Sequence, residues 1–182
     1  MAEVYLFLAD GFETIEALTP LDVLRRCGIS VVTLSISDSL DVTSSHGLSV
    51  RADQLARNAR FEDSNALILP GGYPGYAHLA QNDIVASAVQ QFARSGKCVA
   101  AICGAPSVLQ VNGVFEGYRL TCHSSIRDRM QAYDLQSQGV VEDRNLITAA
   151  GAGWSLDFAI AIARRLTSAE KMAEVRRKME LK

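Results

Sequence analysis

Short, strongly apolar runs alternate along this chain with segments whose apolar residues recur at helical spacing. The runs at 4–8, 66–69 and 97–102 contain almost no polar residues. Strands that are apolar on both faces are typical of a parallel sheet covered by helices on both sides. The pattern therefore predicts an α/β protein with a mostly parallel sheet between two helical layers.

The remaining segments complete this alternation. We expect helices over 15–26, 82–95, 105–111, 125–132, 156–166 and 169–179, strands over 29–36 and 119–122, and two hairpins within 42–50 and 140–147. The helix over 156–166 is apolar almost all round, which predicts that it is buried. No repeat, linker or low-complexity stretch interrupts the order, so we expect one domain over residues 1–182.

Composition and charge exclude several classes of protein. The chain has 182 residues, of which 48% are hydrophobic and 21% charged, as in ordinary globular proteins. Its net charge of −2 leaves no excess of Lys and Arg to replace phosphate counterions, so specific nucleic-acid binding is not expected. With no signal peptide and no apolar stretch near 18 residues, we expect no membrane association and a cytoplasmic location.

The cysteines and histidines do not form a metal-binding pattern. None of the four cysteines lies in a C-x-x-C pair, and the three histidines are scattered along the chain (Cys27, Cys98, Cys103, Cys122, His46, His78, His123). Zinc sites in proteins use clustered ligands at characteristic spacings. The sequence therefore predicts no metal site, and no cofactor is expected.

The most informative segment is the strand that leads into Cys103. Ala101 and Ala105 flank this cysteine at the two positions where a nucleophile elbow needs small side chains. A helix that starts directly afterwards directs its free N–H groups at the sulfur, which favours the thiolate. The alternative is a buried cysteine in an ordinary strand-to-helix connection, and this segment alone does not choose between them.

Three further loops are expected at the same edge of the sheet as Cys103. They leave the carboxyl ends of other strands and span residues 10–13, 70–73 and 122–123. Ligands of open parallel sheets collect at this edge. The Gly71-Gly72 pair can bring backbone N–H groups close to an oxyanion, although most such pairs are plain turns. His123 is similarly either a member of the site or a histidine satisfied within its loop.

The motifs together resemble those of the ThiJ/PfpI superfamily. They are the segments 11–17, 20–26, 69–72, 100–106 and 121–123, and they occur in the family's order and spacing over essentially the whole chain. The branch that they resemble contains the Parkinson-disease-associated protein deglycase and its bacterial relatives. The resemblance implies a flavodoxin-like three-layer α/β/α sandwich, similar to class I glutamine amidotransferases, and a homodimer.

The resemblance also implies a role for each residue of the site. Cys103 falls on the reactive cysteine, Glu16 on a carboxyl group beside its sulfur, and His123 on a histidine of the same pocket, while the amides of Gly72 and Gly104 fall on the oxyanion donors. Like charges repel, so a carboxylate and a thiolate in contact require that one group keeps a proton. We expect Glu16 to be protonated and to donate a hydrogen bond to the Cys103 thiolate.

Two departures from the family pattern matter. Protease-like and amidotransferase-like relatives place a histidine directly after the cysteine, whereas this chain has Gly104 there. That departure argues against a Cys-His dyad of the peptidase type. Close relatives also carry Ser-Arg and Pro around the glycine that corresponds to Gly151, where this chain has alanines (Ala149, Ala150, Ala152). A basic, anion-binding edge is therefore expected to be missing, and Trp154 either walls the site or packs in the core.

The resemblance implies a glyoxalase or deglycase that needs no cofactor. Its partners would be small 2-oxoaldehydes such as methylglyoxal, or glycated proteins and nucleotides. The alternative is an oxidative-stress sensor or chaperone in which Cys103 is oxidised to the sulfinate and Glu16 stabilises that state. A binding module without catalysis is a third possibility, which the presence of Glu16, Cys103 and His123 disfavours.

Overall fold

The computed structural model describes residues 4–181, which form eleven strands and six α-helices. The strands are β1 (Val4–Leu8), β2 (Val31–Ser35), β3 (Asp41–Thr43), β4 (Ser49–Arg51), β5 (Gln54–Leu55), β6 (Ala66–Leu69), β7 (Cys98–Ile102), β8 (Arg119–Leu120), β9 (Asp134–Leu135), β10 (Val140–Asp143) and β11 (Leu146–Ala149). The helices are α1 (Thr14–Arg26), α2 (Gly75–Ala80), α3 (Asp83–Ser95), α4 (Pro106–Val111), α5 (Ser155–Leu166) and α6 (Ala169–Lys178).

A seven-stranded sheet in the order β10-β11-β7-β6-β1-β2-β5 forms the middle layer. Its strands pair in parallel except for the edge strand β10, which is antiparallel to β11. Two small two-stranded sheets, β3-β4 and β8-β9, lie beside it. The flavodoxin-like three-layer sandwich expected from the resemblance is confirmed.

Each face of the sheet has its own hydrophobic core. One core joins the sheet to α1, α5 and α6, with Phe158 and Leu24 fully buried in it. The other joins the sheet to α2, α3 and α4 and includes Phe92 and Leu109. The central strands β1, β6 and β7 are buried along their whole length, because helices cover both of their faces.

Most of the predicted elements are confirmed within one or two residues at their ends. The hairpin predicted within 42–50 is β3 and β4, and the one within 140–147 is β10 and β11. The predicted buried helix is α5, in which Ser155 and every residue from Phe158 to Ala163 are buried. Pro20 lies inside α1 without ending it.

Some predictions about local structure were wrong. The helix expected over 125–132 is a 3₁₀-helix, Ser124–Arg129, which ends because Met130 leaves the helical conformation, with φ −93° and ψ 39°. The Arg127 side chain donates to the backbone carbonyls of Leu135 and Gln136. The predicted strand over 29–36 is shorter. The six-residue helix α2 was not predicted, since Pro74 and Gly75 are typical of a turn.

Candidate active site

Cys103 follows β7 directly and has the strained backbone of a nucleophile elbow. Its φ is +64°, a left-handed conformation that side chains other than glycine rarely adopt. Its backbone N–H donates to Ala149 O at 2.9 Å, and its backbone O accepts from His123 N–H at 2.9 Å. Ala101 and Ala105 on either side are fully buried. Neighbouring loops therefore hold the elbow in place on both sides.

Two glycine-rich loops pack backbone against backbone beside this elbow. They are the loop after β1, which contains Gly11, and the loop after β6, which contains Gly72. Glu13 N–H donates to Gly71 O at 2.9 Å. A Cβ on Gly72 would overlap the backbone of Glu13, and Gly72 has a φ of +88°. Glycine is required at position 72 for both reasons, and the close approach brings the start of α1 to the elbow.

Glu16 lies in the first turn of α1, which Glu13 caps. The Glu13 carboxylate accepts from Glu16 N–H at 2.8 Å. The Glu16 side chain is only 1% exposed, and its Oε2 accepts from Gly71 N–H at 2.9 Å. A Cβ on Gly71 would lie 2.5 Å from that oxygen and 2.7 Å from Cys103 Cβ. The absence of a side chain at position 71 is therefore what lets the carboxyl group approach the cysteine.

The carboxyl group of Glu16 lies beside the Cys103 side chain and perturbs its thiol. The second carboxyl oxygen, Oε1, is buried and has no hydrogen-bond partner among the described residues. A buried carboxylate oxygen without a donor is costly. A proton on Oε1 removes that cost, because the protonated oxygen can donate to the sulfur.

The two acidic groups shift each other's pKa. Burial raises the pKa of the Glu16 carboxyl group to about 7, with the charge of Glu13 adding to the rise. Burial, the Glu16 charge and its hydrogen bond raise the pKa of the Cys103 thiol to about 12. The Gly104 and Gly72 amides lower this pKa, as expected, but the other causes outweigh them.

The pair therefore loses one proton near pH 7 and shares the other. Two of the causes that raise the Cys103 pKa come from an ionised Glu16. A protonated Glu16 carries no charge and donates to the sulfur, so it removes both. The proton that the pair retains can therefore be bound either to the Glu16 carboxyl group or to the Cys103 sulfur.

His123 lies at the same edge of the sheet, but its ring is bonded to its own loop. Its Nδ1 accepts from Ser125 N–H at 3.2 Å, which caps the 3₁₀-helix, and it lies 2.9 Å from Ser125 Oγ. The ring is exposed, and Cδ2 faces Gly151. Because Nδ1 accepts, the neutral ring carries its proton on Nε2, which makes Nε2 a donor rather than a base.

Gly104 allows a close contact that the sequence did not reveal. A Cβ at this position would overlap the ring of Tyr76, which reaches over the elbow from α2. A histidine at position 104 has no room there, so the peptidase-type dyad is excluded by packing. Trp154 is neither in the core nor fully buried, since its ring covers Gly139 and is 46% exposed.

No group of three or more His, Cys, Asp or Glu residues that could hold a metal ion occurs within residues 4–181. In the same part of the chain, no helix is long and apolar enough to cross a membrane.

Comparison with known proteins decides the family. Residues 2–165 match the DJ-1/PfpI family. The chain belongs to this family. The Danio rerio Parkinson disease protein 7 homolog is 32% identical over 182 residues, covering 97% of this chain and 96% of that protein. The Caenorhabditis elegans glutathione-independent glyoxalase DJR-1.2 is 30% identical over 161 residues, covering 87% and 85%.

A solved structure agrees with these relatives. The crystal structure of Drosophila melanogaster DJ-1beta superposes with a TM-score of 0.95 at 31% identity, and the match covers 100% of both chains. The resemblance inferred from the motifs is thus confirmed over nearly the whole chain.

Within this DJ-1/PfpI chain, the structure brings the five residues expected at the site together at one edge of the sheet. The Glu16 carboxyl group and the Gly72 and Gly104 amides act on the Cys103 thiol. His123 contacts Cys103 through its backbone N–H, whereas its ring bonds to Ser125. Neither the role of Gly71 as the donor to Glu16 nor the contact of Tyr76 with Gly104 was predicted from the sequence. Gly71 was visible as part of a glycine pair, but no local signal connects Tyr76 to the elbow.

Proposed function

We propose that this protein is a cofactor-independent glyoxalase or deglycase that acts on 2-oxoaldehydes and their adducts through Cys103. The observation that carries the proposal is the Glu16 carboxyl group, buried against the sulfur and held by Gly71 N–H. A nucleophile for the aldehyde carbon and a proton carrier are thereby next to each other. The relative named as a glutathione-independent glyoxalase supports the same activity.

The proposed reaction begins with addition of the Cys103 thiolate to the aldehyde carbon of methylglyoxal. The carbonyl oxygen takes the proton held by Glu16, with the Gly72 and Gly104 amides placed to stabilise the developing charge. The product is a hemithioacetal, and Glu16 is now a carboxylate.

Glu16 then removes the proton from the former aldehyde carbon and returns it to the neighbouring carbon, while the hydroxyl proton of the hemithioacetal moves to the former ketone oxygen. This isomerisation turns the hemithioacetal into a lactoyl thioester on Cys103, with no net oxidation. Water cleaves the thioester, which releases lactate and one proton and regenerates the Cys103 thiolate and the protonated Glu16 carboxyl group. The overall reaction adds one water to methylglyoxal. An adduct of a 2-oxoaldehyde with an amine or thiol would follow the same reaction steps once the amine or thiol has left the aldehyde carbon.

Lactate formation from methylglyoxal by pure, reduced protein tests the proposal. Cys103→Ser should abolish turnover, and Glu16→Gln should lower it roughly 100-fold or more, because Gln can donate to sulfur but cannot carry the proton. Exposed Asp22 on the same helix offers a matched control, and Asp22→Asn should leave turnover unchanged. Wild-type protein without lactate formation, or full turnover in Glu16→Gln, would contradict the mechanism.

A redox role at the same residues is the second candidate. The Gly72 and Gly104 amides and a protonated Glu16 are donors placed around the sulfur, and oxidation to a sulfinate would give them oxygens to bind. Peroxide treatment followed by intact mass measurement should then add two oxygens at Cys103. In Glu16→Gln, the balance between sulfenate and sulfinate should change if Glu16 stabilises the oxidised sulfur.

We further propose that the protein forms a homodimer through the layer of α1 and α5. Ile15 and Trp154 are exposed near the starts of these two packed helices, and Leu48 is exposed on the β3-β4 hairpin. Ser45 N–H on that hairpin donates to Phe12 O just before α1. The Ile15→Glu variant should sediment as a monomer, whereas Val111→Glu in the opposite layer should sediment as the wild type does. A monomeric wild-type protein contradicts this proposal.

Four free cysteines, three of them buried, fit a reducing compartment. A cytoplasmic location is accordingly proposed.

A further inference from the structure

Tyr76 connects the two residues whose amides face the sulfur. Its backbone N–H donates to Gly72 O at 2.9 Å. Its ring lies over Gly104, where a Cβ would overlap three of the ring carbons. The residue thus contacts both donor positions at once, from the second position of α2.

The ring itself is half-buried and has an aromatic neighbour. The Tyr73 and Tyr76 rings have centroids 6.0 Å apart at an interplanar angle of 59°. Tyr73 is 73% exposed, so it lies on the outer, solvent side of the pair. The inner member, Tyr76, is packed against the elbow, because α2 lies against α4, the helix that begins after the elbow.

The space beside Gly104 is therefore filled from another part of the chain. Gly104 does not adopt a left-handed φ, so an alanine there would be acceptable to the backbone. The three atoms nearest to a Cβ at position 104 all belong to the Tyr76 ring and would lie within 2.9 Å of it. This ring therefore stands against the residue that directly follows the nucleophile.

We propose that Tyr76 is a specificity-determining residue: its ring takes the space of a side chain at position 104, closes one flank of the Cys103 sulfur and limits the carbonyl substrate to small, unbranched 2-oxoaldehydes. The substrate class in this statement rests on the proposed function, whereas the closed flank rests on the contact with Gly104. A single apolar group that does not fit a pocket commonly changes selectivity by roughly 10- to 200-fold.

The first test measures access to the sulfur and needs no turnover. Cys103 is alkylated with iodoacetamide, which is small, and with N-phenylmaleimide, which is bulky, and the two rates are compared in one variant at a time. In Tyr76→Ala the alkylation rate with N-phenylmaleimide divided by the rate with iodoacetamide should rise by roughly tenfold or more. Tyr76→Phe keeps the ring and should match the wild type, as should Tyr73→Ala, whose side chain lies mainly in solvent.

The second test measures the contact itself through thermal unfolding. Gly104→Ala should lower Tm in the wild-type background, because the Tyr76 ring must move. It should have a much smaller effect in the Tyr76→Ala background, where the space is open. Such coupling is the signature of two residues in contact. Equal effects in the two backgrounds would show that the ring does not occupy the space, and would overturn the proposal.

The third test measures substrate choice, as kcat/KM for phenylglyoxal relative to methylglyoxal. Tyr76→Ala should raise this ratio by roughly tenfold or more, mainly through KM, and Tyr76→Phe should not. Circular dichroism and Tm establish that the variants are folded. If Tyr76→Ala is not folded, Tyr76→Leu takes its place, since leucine keeps an apolar group on α2 but has a shorter reach.

The outcomes separate this proposal from the proposed function. Altered alkylation ratios with no turnover of any 2-oxoaldehyde, in the wild type as well, would keep the closed flank and reject the glyoxalase activity. Turnover with unchanged selectivity and unchanged alkylation ratios in folded Tyr76→Ala would keep the activity and overturn the role of Tyr76.

Discussion

Replacing Glu16 by glutamine should make the protein's stability less sensitive to pH while it removes activity. The carboxyl group is 1% exposed, and burial raises its pKa from the ordinary value of 4.5 to about 7. In the unfolded chain the carboxyl group ionises at its ordinary pKa. Between these two pH values the folded protein therefore holds a proton that the unfolded chain has released.

The sign of the effect follows from this difference in bound protons. Raising the pH favours the state that binds fewer protons, which here is the unfolded state. The contribution of Glu16 is fully present below pH 4.5 and is lost as the pH rises through about 7. Each unit of pKa shift corresponds to about 1.4 kcal/mol, so the loss amounts to about 3 kcal/mol.

The variant separates this contribution from all other titrating groups. Glutamine retains an oxygen for Gly71 N–H and a donor for the sulfur, but it does not ionise. The free energy of unfolding, measured by urea titration at half-unit steps from pH 4.5 to 8.5, should fall in the wild type relative to Glu16→Gln by about 3 kcal/mol. Because the pair loses one proton regardless of which group keeps the other, the result is the same for either location of the shared proton.

Asp22→Asn is the matched control, because Asp22 lies on the same helix and its side chain is 57% exposed beside Arg26. Solvent screens such a pair, so its difference curve should be nearly flat. A flat difference in unfolding free energy between the wild type and Glu16→Gln would refute the argument that Glu16 is buried with its proton. So would a wild type that gains stability relative to the variant as the pH rises.

Two further predictions concern the thiol and the histidine. Iodoacetamide should modify Cys103 before the other three cysteines, which are buried, and tryptic mass spectrometry should show this; faster labelling elsewhere would contradict the elbow. The rate of Cys103 alkylation should level off above about pH 7 if Glu16 keeps the shared proton. A rate that continues to rise up to pH 10 would place that proton on the sulfur. His123→Asn should keep the cap of the 3₁₀-helix, while His123→Ala loses about 1 kcal/mol of unfolding free energy. If the Nε2 donor of His123 binds the substrate, lactate formation should fall roughly tenfold or more in both variants, whereas unchanged turnover in His123→Asn would limit His123 to capping.

The sheet was predicted from the sequence because buried parallel strands depend on local patterns. The local pattern at Cys103 indicated a nucleophile elbow but left an ordinary buried cysteine open, and the family resemblance decided between them. Strands β1, β6 and β7 are continuous apolar runs. The small residues Ala101 and Ala105 lie two positions before and after Cys103 in the sequence. The Gly71-Gly72 pair was predicted to bring backbone N–H groups close to an oxyanion, with a plain turn as the alternative. In the structure these glycines make close contacts with Glu13 and Glu16, and binding of an oxyanion stays a prediction. In each case the residue types needed by the structure stand next to each other in the chain.

What the sequence could not predict are contacts between distant segments. An acidic residue in the first turn of an amphipathic helix ordinarily faces solvent and favours the helix dipole. Glu16 is buried only because two glycine loops bring α1 to the elbow, and family resemblance, not helical periodicity, indicated its place. Tyr76 reaches Gly104 across 28 positions of chain from a short helix that begins with turn-forming residues.

Departures from local rules coincide at one place in the fold, and that coincidence is more informative than any one of them. Among the described non-glycine residues, Phe115, Arg144 and Glu180 share a positive φ with Cys103, but they lie in turns or after the last helix. Other buried side-chain atoms also lack a partner. Strain or an orphaned oxygen alone therefore does not mark a site. At Cys103, a positive φ, a buried acid and its orphaned oxygen meet beside two amides. Since each costs stability, their concentration around one sulfur argues for chemistry there rather than for packing.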